Sequence, residues 1–354
     1  MPLVSEAERA RYQQEVALGW SRFFEPRVST CPWCGSGDLK RRLRTTDILQ
    51  RKPGLFYLDR CVTCGHVFQN PRLNFEGLEF YYRDFYDGFG REFIDMVFSS
   101  QGWLYEPRAR VVEGFFGPEG PKNWLDVGTG YGHFANDARK IWPNTTFDGL
   151  DMGSSLLEGK ARGWLDTIYP GEFGDHIEAI KHRYDVISMH HYLEHVRDPR
   201  ADLDIAAEVL ADGQYLSIEV PDVTSWLGRV FGRWWAPWYQ PQHQHMVTLP
   251  NLLAALRERG FTPVRVQHRE AHIPGELTCA FIFGLTHISP NPDSPWLPEA
   301  TPAQRKLHAQ IWKVAPKAFM PLYRADMKVL GPLAQRFGGS NAFRVLSRRD
   351  AANG

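Results

Sequence analysis

The chain predicts a mixed α/β protein whose main body is a doubly wound, mostly parallel sheet, and three observations lead there. From Lys122 onward, short β-prone runs alternate with helical ones, the rhythm of a parallel sheet covered on both faces. The first of those runs, NWLDV, ends in a glycine-rich turn holding Gly128, Gly130 and Gly132, and that turn opens into a helix. Ahead of this body stand two cysteine pairs, CPWC at Cys31–Cys34 and CVTC at Cys61–Cys64, which mark a small metal-binding unit.

Taken in order, residues 1–27 are expected to hold a short amphipathic helix and residues 28–75 the cysteine unit. Residues 76–120, rich in tyrosine and phenylalanine (FYYRDFYDGFGREF), read as a connector or substrate cover, and the sheet body as 121–270. Strands are expected at about 123–128, 146–151, 184–190, 214–220 and 262–268, with a weaker one near 166–170. Helices fall at about 132–141, 153–162, 199–210 and 250–259. Asp198 and Pro199 supply a cap and a first-turn proline to the third, while Gly213 and Gly260 end the third and fourth. The run 276-ELTCAFIFGLTHI-288 reads as a buried strand or an apolar helix, periodicity not separating the two, and Cys279 within it reads as core. A proline-rich linker at 289–302 precedes a helical stretch at about 303–336 and a strand-like run at 341–349.

Lysine plus arginine equals aspartate plus glutamate, 41 each, so no global field favours nucleic acid. With 43% hydrophobic and 23% charged residues the composition is that of a globular protein, and no run approaches the roughly 18 apolar residues of a membrane span. The charged N-terminus lacks the apolar centre of a secretory signal, and paired cysteines of this spacing suit a reducing compartment; a cytoplasmic location is expected.

Each cysteine pair is followed by glycine, and a two-residue gap lets both sulfurs of a pair reach one ion. Four thiolates in a tetrahedron are what a structural Zn2+ prefers, and a hairpin containing 55-LFYLDR-60 can fill the span between the pairs. Cys31, Cys34, Cys61 and Cys64 are therefore the expected ligands. A closed site of this kind leaves no coordination position for chemistry.

The glycine turn bares its backbone to a ligand. Its third glycine comes one residue earlier than in the dinucleotide fingerprint, with His133 in the usual place, and Asp126 stands where a carboxylate would repel a pyrophosphate. Aimed at a cationic aminoacyl tail, that carboxylate is useful. Asp151 ends the second strand, 19 residues past Gly132.

The pattern D-x-G-x-G-x-G at Asp126–Gly132 and the later phrase 184-YDVISMHHYLEHVRDP-199 resemble class I S-adenosylmethionine-dependent methyltransferases. The resemblance runs on through 213–222, 230–235, 241–243 and 250–261; with the cysteine pairs and the NPRL phrase at 70–73 it covers most of residues 28–270. It is similar to a bacterial subgroup with an N-terminal zinc ribbon, among them deoxysugar C-methyltransferases and enzymes of glycan and natural-product pathways. The resemblance implies a Rossmann-like core, a helical insertion over 271–340 and a last sheet strand at 341–349. It implies S-adenosyl-L-methionine as methyl donor, with Asp126 serving the methionine amine, Gly128, Gly130 and Gly132 beside the cofactor, Asp151 at the ribose, Met152 among the cofactor-binding residues, and Met189 and His190 flanking the sulfonium and adenosine. It further implies His195 as general base, with Tyr192 and Glu194 orienting it and His243 contributing to catalysis. A second reading makes His191, Glu194 and His195 ligands of a divalent ion.

The expected reaction moves a methyl group to oxygen or carbon of a small or carrier-linked acceptor, a sugar, glycan or secondary metabolite first. The alternatives are a dinucleotide-dependent oxidoreductase and a zinc-ribbon scaffold with a degenerate nucleoside pocket. The tryptophan-rich stretch 226–240 reads as an aromatic flap packed on the sheet, as a lid over substrate, or as an anchor at a membrane interface, and the basic, apolar segment 303–336 is compatible with peripheral membrane contact, including a lipid-linked acceptor.

Overall fold

A computed structural model describes residues 6–83 and 102–351. Most of the aromatic run expected to cover substrate lies outside the described residues. Among those described, the strands are β1 (Leu39–Thr45), β2 (Phe56–Cys61), β3 (Val67–Gln69), β4 (Asn123–Val127), β5 (Thr146–Asp151), β6 (Ile168–Pro170), β7 (Val186–His190), β8 (Tyr215–Pro221), β9 (His245–Met246), β10 (Phe261–Gln267) and β11 (Ala342–Arg349). The helices of six residues or more are α1 (Glu6–Ala17), α2 (Phe75–Tyr82), α3 (Gly102–Ala109), α4 (His133–Ala138), α5 (Ser155–Ala161), α6 (Pro199–Val209), α7 (Leu249–Glu258), α8 (Glu276–Ile288), α9 (Pro302–Ala325) and α10 (Gly331–Arg336). The chain divides into two compact units: residues 1–94, 223–246 and 273–341 in one, and 95–222, 247–272 and 342–354 in the other.

The second unit carries the seven-stranded sheet, in the order β10-β11-β8-β7-β4-β5-β6. β4 pairs in parallel with β5 and β7, β5 with β6, and β7 with β8, whereas β11 runs antiparallel to both β8 and β10. This is the mostly parallel Rossmann-like sheet that the alternation predicts. Sheets covered on both faces need nearly continuous apolar strands, and β8 is buried along its whole length. Trp124, Phe147, Val186, Leu346 and Phe134 meet in the core. Asp198 caps α6 by accepting hydrogen bonds from the Arg200 and Ala201 amides, with Pro199 in the first turn, as expected. Gly260 (φ 70°) follows α7 in the left-handed conformation that ends helices, whereas α6 stops earlier than expected, at Val209 with the extended Leu210 as its cap, and Gly213 (φ 84°) belongs to the turn before β8.

The first unit holds an antiparallel sheet in the order β1-β2-β3-β9. β1 and β2 pair from Leu39↔Cys61 to Thr45↔Phe56, forming the hairpin expected between the cysteine pairs. The N-terminal helix is shorter than expected, α1 followed by a 3-10 turn at Trp20–Phe23; its one buried residue, Tyr12, packs edge-on against Phe80 and Trp296. The ambiguous 276–288 run is a helix, α8. Asp326 accepts hydrogen bonds at its N-terminus from the Leu277 and Thr278 amides at 2.9 and 2.8 Å. Cys279, expected in the core, is half-buried on this helix. The tryptophan-rich stretch is neither lid nor membrane anchor at its two innermost positions. Trp235 and Trp238 are fully buried, 5.0 Å apart and edge-on, in a core with Leu58, Val67 and Met246.

Candidate active site

Asp126 is the last residue but one of β4, and its side chain is buried. Ser188 on the neighbouring β7 donates its hydroxyl to Asp126 Oδ1 at 2.6 Å and accepts from Trp124 Nε1 at 2.9 Å. Burial of this carboxyl pushes its pKa up to about 6, although the Ser188 and Thr129 hydroxyls oppose the shift. A buried acid poised this way gains much from a cationic partner.

The turn after β4 is sewn to the end of β5: the amides of Gly128 and Thr129 donate to the Leu150 carbonyl at 2.8 and 3.2 Å. Asp151 then grips the same turn, accepting from Gly130 N at 2.8 Å with one oxygen and from Gly153 N at 2.6 Å with the other. Each carboxylate oxygen offers two lone-pair directions, so hydroxyl donors can still be accepted. Burial raises this carboxyl too, against the two amide hydrogen bonds.

The three glycines of the turn are not equivalent. All have positive φ, 78°, 54° and 82° for Gly128, Gly130 and Gly132. A side chain at Gly128 would strike the Tyr192 ring at 2.9 Å, and one at Gly132 would meet Leu165 at 3.0 Å, so these two serve internal packing. At Gly130 a Cβ would find nothing within 4 Å. The open space lies over the middle glycine, beside Asp151. Gly128 and Gly132 therefore shape the turn rather than clear room for a ligand.

His190 closes β7. Its side chain is 5% exposed, sits 4.8 Å from the Phe134 ring, and has its Nδ1 3.7 Å from Asp126 Oδ1, beyond hydrogen-bonding distance. Neither ring nitrogen has a hydrogen-bond partner among the described residues, and burial, reinforced by Arg108, drives its pKa well below the usual value. It is a neutral, buried imidazole at the mouth of the sheet. Met189, expected beside it, belongs to the core instead: successive side chains on a strand face opposite sides, and Met189 is fully buried. Met152 is 76% exposed just past Asp151.

The loop that follows is organised by a residue that the motifs do not single out. Glu219, deep in β8, receives Arg108 Nε at 3.0 Å and Nη2 at 2.5 Å, Arg344 Nε at 2.6 Å and His191 Nε2 at 3.1 Å. His191 turns back through a left-handed backbone (φ 53°), and its Nδ1 donates to Glu194 at 2.8 Å. Burial disfavours a charged imidazole, but Glu194 and Glu219 together push its pKa up to about 9. Burial likewise opposes ionisation of Glu219, yet Arg108 and Arg344 hold its carboxyl well below the usual range. With both nitrogens donating to carboxylates, His191 itself has no lone pair left for an ion. A partial signal for Glu219 and Arg344 was present: each is a charge within a mainly apolar run, YLSIEVP and AFRVLS, where burial demands a partner, but neither run says which partner or that a site is near.

Tyr192 lies over Gly128 and hydrogen-bonds to Asp202, which raises its pKa beyond what burial does. His195 stands half-buried in the same loop, its amide donating to the Tyr192 carbonyl at 2.9 Å. Sequence reasoning also passed over His268, just beyond β10, whose Nε2 is 2.5 Å from Asp222 Oδ2 past the end of β8. That hydrogen bond raises the His268 pKa although partial burial opposes it. His243 lies in the first unit, buried, with Nδ1 donating to the Pro237 carbonyl at 2.7 Å.

The four cysteines of the first unit converge. Their sulfurs all lie within 4.8 Å of one another, with Cys31–Cys64 at 3.7 Å and Cys34–Cys61 at 3.6 Å. A tetrahedron of sulfurs about 2.3 Å from a central ion has edges of about 3.8 Å, so the donor set fits a zinc-sized ion. Gly35 and Gly65, both at φ 76°, close the turns, their amides donating to the Cys31 and Cys61 carbonyls.

Residues 102–266 match the protein family described as a methyltransferase domain. The matched stretch carries most of the mostly parallel, Rossmann-like sheet. The ubiquinone biosynthesis O-methyltransferase of Proteus mirabilis is 31% identical over 110 residues, 30% of this chain and 42% of that one. Its counterpart in Sodalis glossinidius is 29% identical over 166 residues, 44% of this chain and 63% of that one. The chain therefore spans less than two thirds of the length of these relatives. A crystal structure of a SAM-dependent methyltransferase from Archaeoglobus fulgidus is similar over 73% of this chain and 100% of its own, at 15% identity and a TM-score of 0.46.

Proposed function

We propose that the protein transfers a methyl group from S-adenosylmethionine to an oxygen or carbon of a small or carrier-linked acceptor, a sugar, glycan or secondary metabolite first. The observation that carries this reading is the open space over Gly130 beside Asp151, after the strand that carries the buried acid Asp126. When bound there, the sulfonium nucleoside supplies an electrophilic methyl group and its own leaving group. Asp126 would hold the ammonium of the methionine tail, directly or through water, and Asp151 would accept from the ribose while keeping the turn in place. His190 would offer its unpartnered ring nitrogens to the cofactor as a neutral imidazole. The acceptor must be oriented and lose a proton. His191 is locked as a cation and His190 sits too low to carry a proton at neutral pH, so within this loop the proton falls to His195, with Tyr192 and Glu194 fixing the loop around it.

One observation favours a second base: His268 is half-exposed and has a carboxylate partner in Asp222, the arrangement that fixes a tautomer and stabilises an imidazolium. The O-methyltransferase names of the relatives weigh toward oxygen as the acceptor atom. Zn2+ would be held by Cys31, Cys34, Cys61 and Cys64 as a structural ion. The paired cysteines remain in keeping with a cytoplasmic setting. Among the described residues no helix is long and apolar enough to cross a membrane.

The test is transfer of labelled methyl from S-adenosylmethionine into a panel of nucleotide-linked deoxysugars and hydroxylated aromatics. Incorporation that His195→Ala slows by about a hundredfold or more, while affinity for S-adenosylhomocysteine stays within about twofold, supports the reading. Full incorporation by His195→Ala together with loss in His268→Ala moves the base to His268. Absence of cofactor binding removes the reading altogether.

A further inference from the structure

We propose that the exposed face of α9, together with the apolar groove at its C-terminal end, is a docking surface for an anionic lipid bilayer. Lys306, Lys313, Lys317 and Arg324 are all exposed and recur at intervals of seven, four and seven residues. At 3.6 residues per turn these positions fall on one stripe, about 27 Å long from end to end. No acidic residue occurs between Pro302 and Ala325, and the next one, Asp326, is fully buried and committed to the N-terminus of α8. Arg305 pairs with Asp293, whereas no acid lies within ion-pairing distance of the four stripe residues among the described residues. The stripe is therefore an uncompensated cationic edge on a chain whose formal net charge is zero.

Charge alone would serve several polyanions; the apolar residues beside it select among them. Leu307, Val314 and Met320 stand 47, 59 and 48% exposed on the same helix, flanking the stripe. At the end of α9 a groove of about 360 Å³ opens within the same unit, walled by Trp226, Val230 and Phe231 on one side and by Ala325, Val329 and Leu333 on the other. Its lining is wholly apolar, and Val230 and Val329 are more than half exposed. Nucleic acid phosphates and bases would find no hydrogen-bonding group in that groove. Headgroups over a basic stripe, with hydrocarbon entering between aliphatic side chains, match both features. The ends of Trp235 and Trp238 take no part, being core residues.

The full chain should co-sediment with vesicles of phosphatidylcholine mixed with phosphatidylglycerol at low salt, and not with vesicles of phosphatidylcholine alone. Each basic residue near an anionic surface is worth about fivefold in affinity, so changing Lys306, Lys313, Lys317 and Arg324 together to glutamine should cost more than a hundredfold. Val329→Asn should weaken binding without changing its salt dependence. Both variants must keep the wild-type melting temperature and affinity for S-adenosylhomocysteine, which separates lost docking from lost folding or a lost cofactor site. Equal sedimentation with both vesicle types, no sedimentation with either, or binding to duplex DNA in place of vesicles would overturn the proposal.

Discussion

Asp126 and Asp151 look alike in the motif and differ in what surrounds them. Asp126 is buried against Ser188 and its pKa rises to about 6, so its proton returns early as pH falls. Affinity for S-adenosylhomocysteine should therefore drop as pH falls through about 6, and Asp126→Asn should abolish that pH dependence while lowering affinity by about ten- to a hundredfold, the worth of one charge-assisted hydrogen bond. Titration calorimetry at several pH values reads both. Asp151→Ala should lose cofactor affinity at every pH, since the grip on Gly130 goes with it. These two acids were legible because a carboxylate at a strand end beside bare glycine has few other uses. Glu219 was not legible as a site residue, because its role depends on Arg108 and Arg344, more than a hundred residues away in sequence and brought together only by strand order. Removing its charge while leaving its cations buried, as Glu219→Gln does, should destabilise the protein by about 3–5 kcal/mol in a denaturant melt.

At the level of elements, the turn after β4 separates packing from function. Gly130→Ala and Gly132→Ala both force a side chain into a left-handed backbone, a strain of about 1–2 kcal/mol each. Gly132→Ala also pushes on Leu165 and should show mainly as a lower melting temperature, whereas Gly130→Ala projects into open space and should show mainly as weaker cofactor binding. Similar losses of cofactor affinity in the two variants would refute that division. The parallel strands were readable from alternation, and the caps Asp198 and Gly260 from local chemistry. The helix α8 was not, because its apolar residues have no polar face to reveal a period. Nor was the inward packing of Trp235 and Trp238, since aromatic density in a sequence does not say which side faces water.

For the molecule as a whole, pH and metal act on different units. His191 carries a folded pKa of about 9 against an ordinary value near 6.5, so it contributes stability that is fully present below about 6.5 and lost as pH rises through about 9. The melting temperature should fall across that upper window, and His191→Gln should lower it at neutral pH and flatten the alkaline fall. Chelation should destabilise the unit built on the four cysteines, and a Cys61→Ser protein that kept both its zinc and its melting temperature would contradict the tetrahedral site. The make-up of that unit was the least legible feature of the sequence. Residues 223–246 and 273–341 fold with the cysteine segment, a discontinuous arrangement that no local pattern announces. The most direct measurement is titration of the folded, zinc-loaded chain with S-adenosylhomocysteine by calorimetry. One saturable site, lost in Asp151→Ala, is the predicted result; the absence of any binding heat across the pH range where Asp126 is ionised would contradict the account.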